Sequence, residues 1–305
     1  MRMKIITLTL NPAFDIHCTA ERFEAHRENL VKIISRDAGG KGVNIGRALA
    51  AYGIDAENFV VLAEDNGQEF AQLLYNEGLK LRTLSVAGRI RENMTVSAPT
   101  SPETRISFSG FSADDSLLSE VLSALSPMLS DECIVTFSGR LPDGISHEAA
   151  MAFLCALKSK GARLVLDTHA LGREDIIALS PWLIKPNEEE LSRYLGKCDS
   201  VEEIIRAAGE LCSRGVENVL VSLGAHGAVL ARGEGCYLVD APEVQVSSTV
   251  GAGDSSIAGF ISAYLDGEDG EGMLKRAVAF GSAACMTFGT TAPTKESINE
   301  LLSKM

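Results

Sequence analysis

The segment Thr249-Val-Gly-Ala-Gly-Asp-Ser-Ser256 runs directly into Ile257, Phe260, Ile261, Tyr264 and Leu265 at helical spacing. Gly251 and Gly253 let the backbone amides around Ala252 turn inward at a helix start, where free N–H groups and the helix dipole favour an anion such as a phosphoryl group in transfer. A carboxylate at Asp254, beside that anion hole, is suited to orient a hydroxyl and take its proton as it attacks phosphorus. The plainer reading is that Asp254 caps a helix after a glycine turn. Amides of positive character nearby would make it a weak base, so that positioning outweighs proton abstraction until late in the step.

A second cluster, Gly39-Gly-Lys-Gly-Val-Asn44, precedes Val43, Ile45, Ala48, Leu49 and Tyr52 at helical spacing, with Gly53 to stop the helix. It lacks the G-x-x-x-x-G-K-[ST] spacing of a Walker A loop, and no G-x-G-x-x-G follows a strand. Glycine amides with Lys41 and Asn44 near a helix start suit a ligand with hydroxyls or a phosphate; a plain glycine turn is the alternative.

Regular alternation of elements must carry these loops. Lys4–Leu10 reads as a strand closed by Asn11-Pro12, Phe59–Leu62 as a strand and Glu69–Glu77 as a helix. From Asp114 onward strands (Cys133–Phe137, Arg163–Asp167, Trp182–Ile184, Val219–Leu223) alternate with helices (His147–Lys160, Glu188–Leu195 and a stripe from Val201 to Cys212). The last third is helical from Asp254 to Leu265 and from Glu271 to Met286. Such alternation predicts an α/β fold with a mainly parallel central sheet flanked by helices. Two hairpin-like stretches, 11–37 and 86–111, break the rhythm, the second as Arg89–Ala98 and Thr104–Ser109 around Pro99 to Pro102. They are expected to pair as a small inserted β-sheet lid over a main domain of 1–10, 38–85 and 112–305.

The 305 residues, 46% hydrophobic and 23% charged, are ordinary for a globular protein. A formal charge of −13 argues against nucleic acid or an anionic membrane as partner, so any phosphate must be held by local groups. The Met3 to Leu10 run is too short and Thr-rich for a signal peptide, and no segment approaches the ~18 apolar residues of a membrane span. Seven scattered cysteines with no C-x-x-C pair read as reduced thiols in a cytoplasmic protein.

Taken in order, the two glycine loops, Thr9-Leu-Asn-Pro-Ala-Phe-Asp15, Ser138-Gly-Arg-Leu-Pro-Asp-Gly144, Lys185-Pro-Asn-Glu-Glu-Glu190 and Ser222-Leu-Gly-Ala-His-Gly227 resemble the ribokinase (PfkB-type) sugar kinases along the whole chain. The resemblance implies a ribokinase-like fold using ATP and Mg²⁺. It implies that Asp15, Gly39, Gly40, Lys41 and Asn44 hold sugar hydroxyls, and that Arg91 and Asn93, an R-x-N on a lid strand, meet the substrate's existing phosphate, for which a bidentate guanidinium is suited. Lys185 and Asn187 would touch ATP phosphates, with Glu190 reaching magnesium through water; read alone, Glu188 to Glu190 is an acidic first helical turn favoured by the dipole. Ser222, Gly224 and Gly227 would approach the adenosine moiety. A homodimer built through the lids is implied as well.

T-L-N-P-A-x-D, R-D-A-G-G-K-G-x-N and R-x-N are most similar to the branch acting on ketohexose phosphates, which includes 1-phosphofructokinases and tagatose-6-phosphate kinases. Fructose 1-phosphate to fructose 1,6-bisphosphate is the leading expectation, with 6-phosphate sugars as the alternative. The chain departs from that branch at Arg140, which follows Ser138-Gly and could add a phosphate anchor, and at His169, within Asp167-Thr-His-Ala170. A sugar-phosphate-binding regulator without catalysis is disfavoured by the intact Asp254, Lys185 and Asn187, and a NAD oxidoreductase by the missing dinucleotide fingerprint.

Overall fold

Strands buried almost throughout must be covered on both faces, and six of the seven parallel strands here, all but the outermost, form such a core. In the computed structural model, which describes residues 3–305 except 100 and 234, β1 (Lys4–Thr9) leads into β2 (Ala13–Thr19), β3 (Lys32–Gly39) and α1 (Lys41–Tyr52). Then come β4 (Glu57–Ala63), α2 (Gly67–Asn76), β5 (Lys80–Val86), β6 (Arg91–Ala98), β7 (Ser101–Ser107) and α3 (Ser116–Leu125). Next are β8 (Cys133–Ser138), α4 (His147–Ser159), β9 (Arg163–Asp167), α5 (Arg173–Leu179), β10 (Leu183–Ile184), α6 (Glu188–Leu195), α7 (Val201–Ser213) and β11 (Asn218–Ser222). β12 (Ala228–Arg232), β13 (Gly235–Val239), α8 (Ala252–Leu265), α9 (Gly270–Cys285) and α10 (Lys295–Leu302) complete the chain.

Nine strands form one sheet in the order β13-β12-β11-β10-β9-β8-β1-β4-β5, parallel from β5 to β11 with an antiparallel β12–β13 hairpin at the edge. Alternate residues face opposite layers, as the period of a strand requires. Ile5, Ile134, Val165 and Leu220 pack with α1, α8, α9 and α10. Ile6, Val135, Leu164 and Val219 meet the layer that contains α2, α3, α4 and α7. No helix of the described residues is long and apolar enough to cross a membrane.

A separate four-stranded sheet has the order β3-β2-β6-β7. Its centre is a parallel pairing of β2 with β6, in a register that sets Asp15 beside Asn93. Several boundaries differ from the sequence expectation: β3 runs to Gly39 and β6 starts at Arg91. Val86 belongs to β5 of the large sheet, and β7 starts at Ser101, so Pro102 lies inside a strand. Proline is tolerated there because β7 is the outer strand and its missing N–H takes no partner from the sheet. The expected parallel sheet ends in an antiparallel hairpin, β12–β13, for which the sequence carried no separate indication.

Candidate active site

The parallel strands deliver their functional residues at their C-terminal ends, the position where open α/β sheets bind ligands. Ser138 ends β8, Asp167 ends β9, Lys185 follows β10 and Ser222 ends β11. Thr9 ends β1 and its hydroxyl accepts from the Val43 amide at 2.9 Å, which pins the start of α1 over the same edge.

The first turn of α8 closes the site. Gly251 takes the left-handed conformation (φ 78°) and offers no side chain to cap the helix. The cleft is lined there by Ala252 and Gly253. Gly253 lies directly against Lys185, whose Nζ would be only 3.0 Å from a β-carbon at that position.

Asp254, one residue further, is 6% exposed. Its Oδ2 accepts a hydrogen bond from Asn44 Nδ2 at 2.8 Å. Burial, reinforced by the negative charge of Asp167, pushes its pKa up to about 6 against the pull of Asn44, Lys41 and Lys185. The expectation of a weak base at a helix start is therefore reversed: removal from water outweighs the favourable groups around it. At neutral pH the carboxylate is mostly ionised yet basic enough to receive a proton.

Asp167 joins the two lysines of the site. Lys41 Nζ donates to its Oδ2 at 2.9 Å, and Lys185 Nζ stands 4.0 Å from its Oδ1. Burial acts against the Lys41 ammonium, but Asp167, Asp254 and Glu190 outweigh it and hold its pKa above the usual lysine value. In the sequence Asp167 stands out only as the residue that ends an apolar strand, within a departure from a motif; its pairing with two lysines is made by the fold.

A second group sits where the small sheet meets this edge. Asn93 Nδ2 donates to Asp15 Oδ1 at 2.9 Å, and Arg91 Nη1 donates to Asn93 Oδ1 at 3.3 Å. Burial raises the Asp15 pKa, while Asn93, His17, Arg91 and Arg105 draw it down. Burial also lowers that of Arg91; Asp15 opposes this and Arg140 adds to it. Arg91 Nε is buried with no hydrogen-bond partner, as is Ser138 Oγ. Gly39 and Gly40, at the end of β3, connect this group to Lys41 and Asn44; Ala13 of β2 pairs with Gly39.

On the other side of Lys185 opens a cleft of ≈ 950 Å³ that reaches Asn187, Ser222, Gly224 and Gly227. Val244, Val246 and Val278 give it an apolar wall that no motif announced. Asn187 caps α6, its Oδ1 accepting from the Glu190 amide at 2.8 Å while Glu190 Oε2 accepts from the Asn187 amide at 2.9 Å. Glu190 Oε1 lies 3.4 Å from His169 Nε2, so His169 belongs to this side of the site and not to the Asp15 side.

The Asp15, Asn93 and Arg91 group is thus joined through Gly39 and Gly40 to Lys41 and Asn44, and Asn44 binds Asp254, the residue after Gly253 in the lining of the apolar-walled cleft. The profile of the pfkB family carbohydrate kinases matches residues 9–297. The 1-phosphofructokinase of Escherichia coli (strain K12) is 34% identical over 288 residues, 93% of this chain and 91% of that protein. That of Rhodobacter capsulatus is 34% identical over 304 residues, 99% of this chain and 96% of that protein. Among solved structures, phosphofructokinase-2 from Escherichia coli in complex with fructose-6-phosphate superposes with a TM-score of 0.90 at 25% identity, covering 99% of both chains. The fold, the order of the motifs and the kinship agree, and the chain belongs to the PfkB family of carbohydrate kinases, phosphotransferases with an alcohol group as acceptor.

Proposed function

We propose that this kinase transfers the γ-phosphoryl group of ATP to a hydroxyl of a ketohexose monophosphate, converting fructose 1-phosphate to fructose 1,6-bisphosphate. The observation that carries the phosphorylated substrate is the proximity of Arg91 and Arg140, felt in the Arg91 pKa, together with a buried Arg91 Nε that has no partner. Two guanidiniums near enough to feel each other's charge suit a dianionic phosphate. Asp15 and Asn93, locked to each other, would accept and donate to the sugar hydroxyls. The 1-phosphofructokinases at 34% identity favour fructose 1-phosphate; the likeness to phosphofructokinase-2 with fructose-6-phosphate favours the rival 6-phosphate.

Asp254 receives the proton of the attacking hydroxyl. The first-turn amides of α8 and the ammonium groups of Lys41 and Lys185 stabilise charge on the phosphoryl oxygens, and the work is chiefly positioning and electrostatics. ATP lies along the larger cleft, its phosphates toward Lys185 and Asn187 and its adenosine near Ser222, Gly224 and Gly227. No group of three acidic, His or Cys side chains able to hold a metal occurs among the described residues. That donor set fits Mg²⁺ bound mainly by phosphates and water, with Glu190 reached through water, since this ion keeps most of its hydration and needs few protein ligands. When bound it would neutralise charge on the β- and γ-phosphates.

The small sheet of β2, β3, β6 and β7 serves as a lid that excludes water from the reaction. Leu30, Ile33, Ile34, Ile106 and Phe108 are exposed on or beside it, and their apolar surface supports a homodimer through the lids. Seven free cysteines support a reducing, cytoplasmic setting.

A coupled ADP-release assay with MgATP and fructose 1-phosphate, fructose 6-phosphate, tagatose 6-phosphate or fructose tests the proposal. The highest kcat/KM is expected for fructose 1-phosphate. A preference for a 6-phosphate would overturn the substrate, and equal rates with unphosphorylated fructose would overturn the role given to the arginines.

A further inference from the structure

Arg47 lies one turn beyond Asn44 on α1 and is 9% exposed. Its Nε and Nη2 donate to Glu77 Oε2 and Oε1 at 2.6 and 3.0 Å. Nη2 also donates to the Ala38 carbonyl at 2.7 Å, and Nη1 to Asn44 Oδ1 at 3.0 Å and to the Thr290 carbonyl at 3.5 Å. A guanidinium has five N–H donors, and these five contacts engage all of them. Arg47 thus has no donor left for a ligand, and no direct part in binding.

Its contact with Asn44 has a chemical consequence. An amide side chain can face either way, and only its neighbours decide which end points where. Here Oδ1 accepts from Arg47, which obliges Nδ2 to face the Asp254 carboxylate. The flipped amide would set its oxygen against Asp254 and its NH₂ against the guanidinium, unfavourable at both ends. Glu77, just past α2, and the carbonyls of Ala38 and Thr290 hold the guanidinium in turn.

We propose that Arg47 is a positioning residue for phosphoryl transfer: by fixing the amide of Asn44, it holds the carboxylate of Asp254 where the sugar hydroxyl must deliver its proton. The inference rests on the reading of Asp254 as the proton acceptor. Through Ala38, whose carbonyl lies just before Gly39 and Gly40, the same guanidinium ties the sugar-binding loop to α1.

The charged groups facing Asp254 are Lys41 on α1, Asp167 at the end of β9 and Lys185 after β10. Both lysines and the Asn44 hydrogen bond favour its ionised form, so losing the hydrogen bond moves its titration upward.

The test compares wild type, Arg47→Lys, Asn44→Ala, the double variant and Asp254→Asn with MgATP and fructose 1-phosphate from pH 5 to 9. Lysine keeps the charge opposite Glu77 and the aliphatic stem but lacks the planar fork that reaches Asn44. Arg47→Lys should lower kcat about 10-fold, the loss of a hydrogen bond to a charged group felt at one remove, with KM for ATP within about twofold. The acid limb of kcat should move to higher pH. In the Asn44→Ala background Arg47→Lys should have no further effect on kcat, because the two act as one unit. Additive losses, or an acid limb that stays in place, would overturn the role of Arg47 while leaving Asp254 as the base. An Asp254→Asn enzyme of near wild-type activity would overturn the underlying reading instead. Should Arg47→Lys lower the melting temperature, the cycle with Asn44→Ala and the pH limb still decide, since a purely structural role would move neither.

Discussion

Replacing Asp254 by asparagine should abolish turnover and make the protein more stable. Burial lifts the carboxyl from the ordinary 3.8 to about 6, so the folded protein holds the proton more tightly than the unfolded chain. The sign follows: the native state loses stability as pH rises from about 4 through about 6, and carries the full penalty above that. Two units correspond to roughly 3 kcal/mol, at about 1.4 kcal/mol per unit. An uncharged asparagine keeps the shape, and its carbonyl can still accept from Asn44. The variant should therefore gain up to about 3 kcal/mol at pH 8, about half of that at pH 5, and little at pH 4. Urea unfolding of both proteins at each pH measures this, because shared carboxylates cancel in the difference. An asparagine variant less stable than wild type at pH 8, or a difference that does not change with pH, would refute the assignment of burial as the dominant influence on this group.

Arg91→Ala should reduce kcat/KM for fructose 1-phosphate by about 10- to 100-fold, the worth of a charge-assisted contact, and leave the low rate with unphosphorylated fructose within about twofold; steady-state kinetics on both sugars checks it. Asn187→Ala removes the cap of α6 and frees Glu190. It should cost about 1 kcal/mol of stability and raise the KM for MgATP, measured by thermal melting and by ATP titration at fixed Mg²⁺.

Much of the frame was legible because local chemistry and tertiary role coincide. The glycine pair before Lys41 and the left-handed Gly53 bracket α1 at Lys41–Tyr52, and the turn at Gly251 starts α8. The edge strand β5, with Lys80, Arg82, Thr83 and Ser85 exposed and no residue buried, offers too little apolar pattern to be read as a strand. The seven-residue α5 and the β12–β13 hairpin were likewise too short to announce themselves. The partnership of Asp167 with Lys41 and Lys185 spans 126 residues in one case, and only the sheet order brings it about. The basicity of Asp254 is hidden from the sequence for the same reason. A helix start can be recognised from five residues, but burial is decided by everything packed over it. Arg47 had no sequence signal beyond its place on the buried side of an amphipathic helix.

The most direct measurement is ADP release by the Asp254→Asn variant with saturating MgATP and fructose 1-phosphate, set beside calorimetric binding of both substrates. Wild-type-like affinities with kcat reduced at least about 100-fold, the usual share of a positioned base, are the predicted result. Retention of more than a tenth of wild-type kcat with both substrates bound would contradict the claim that Asp254 takes the hydroxyl proton.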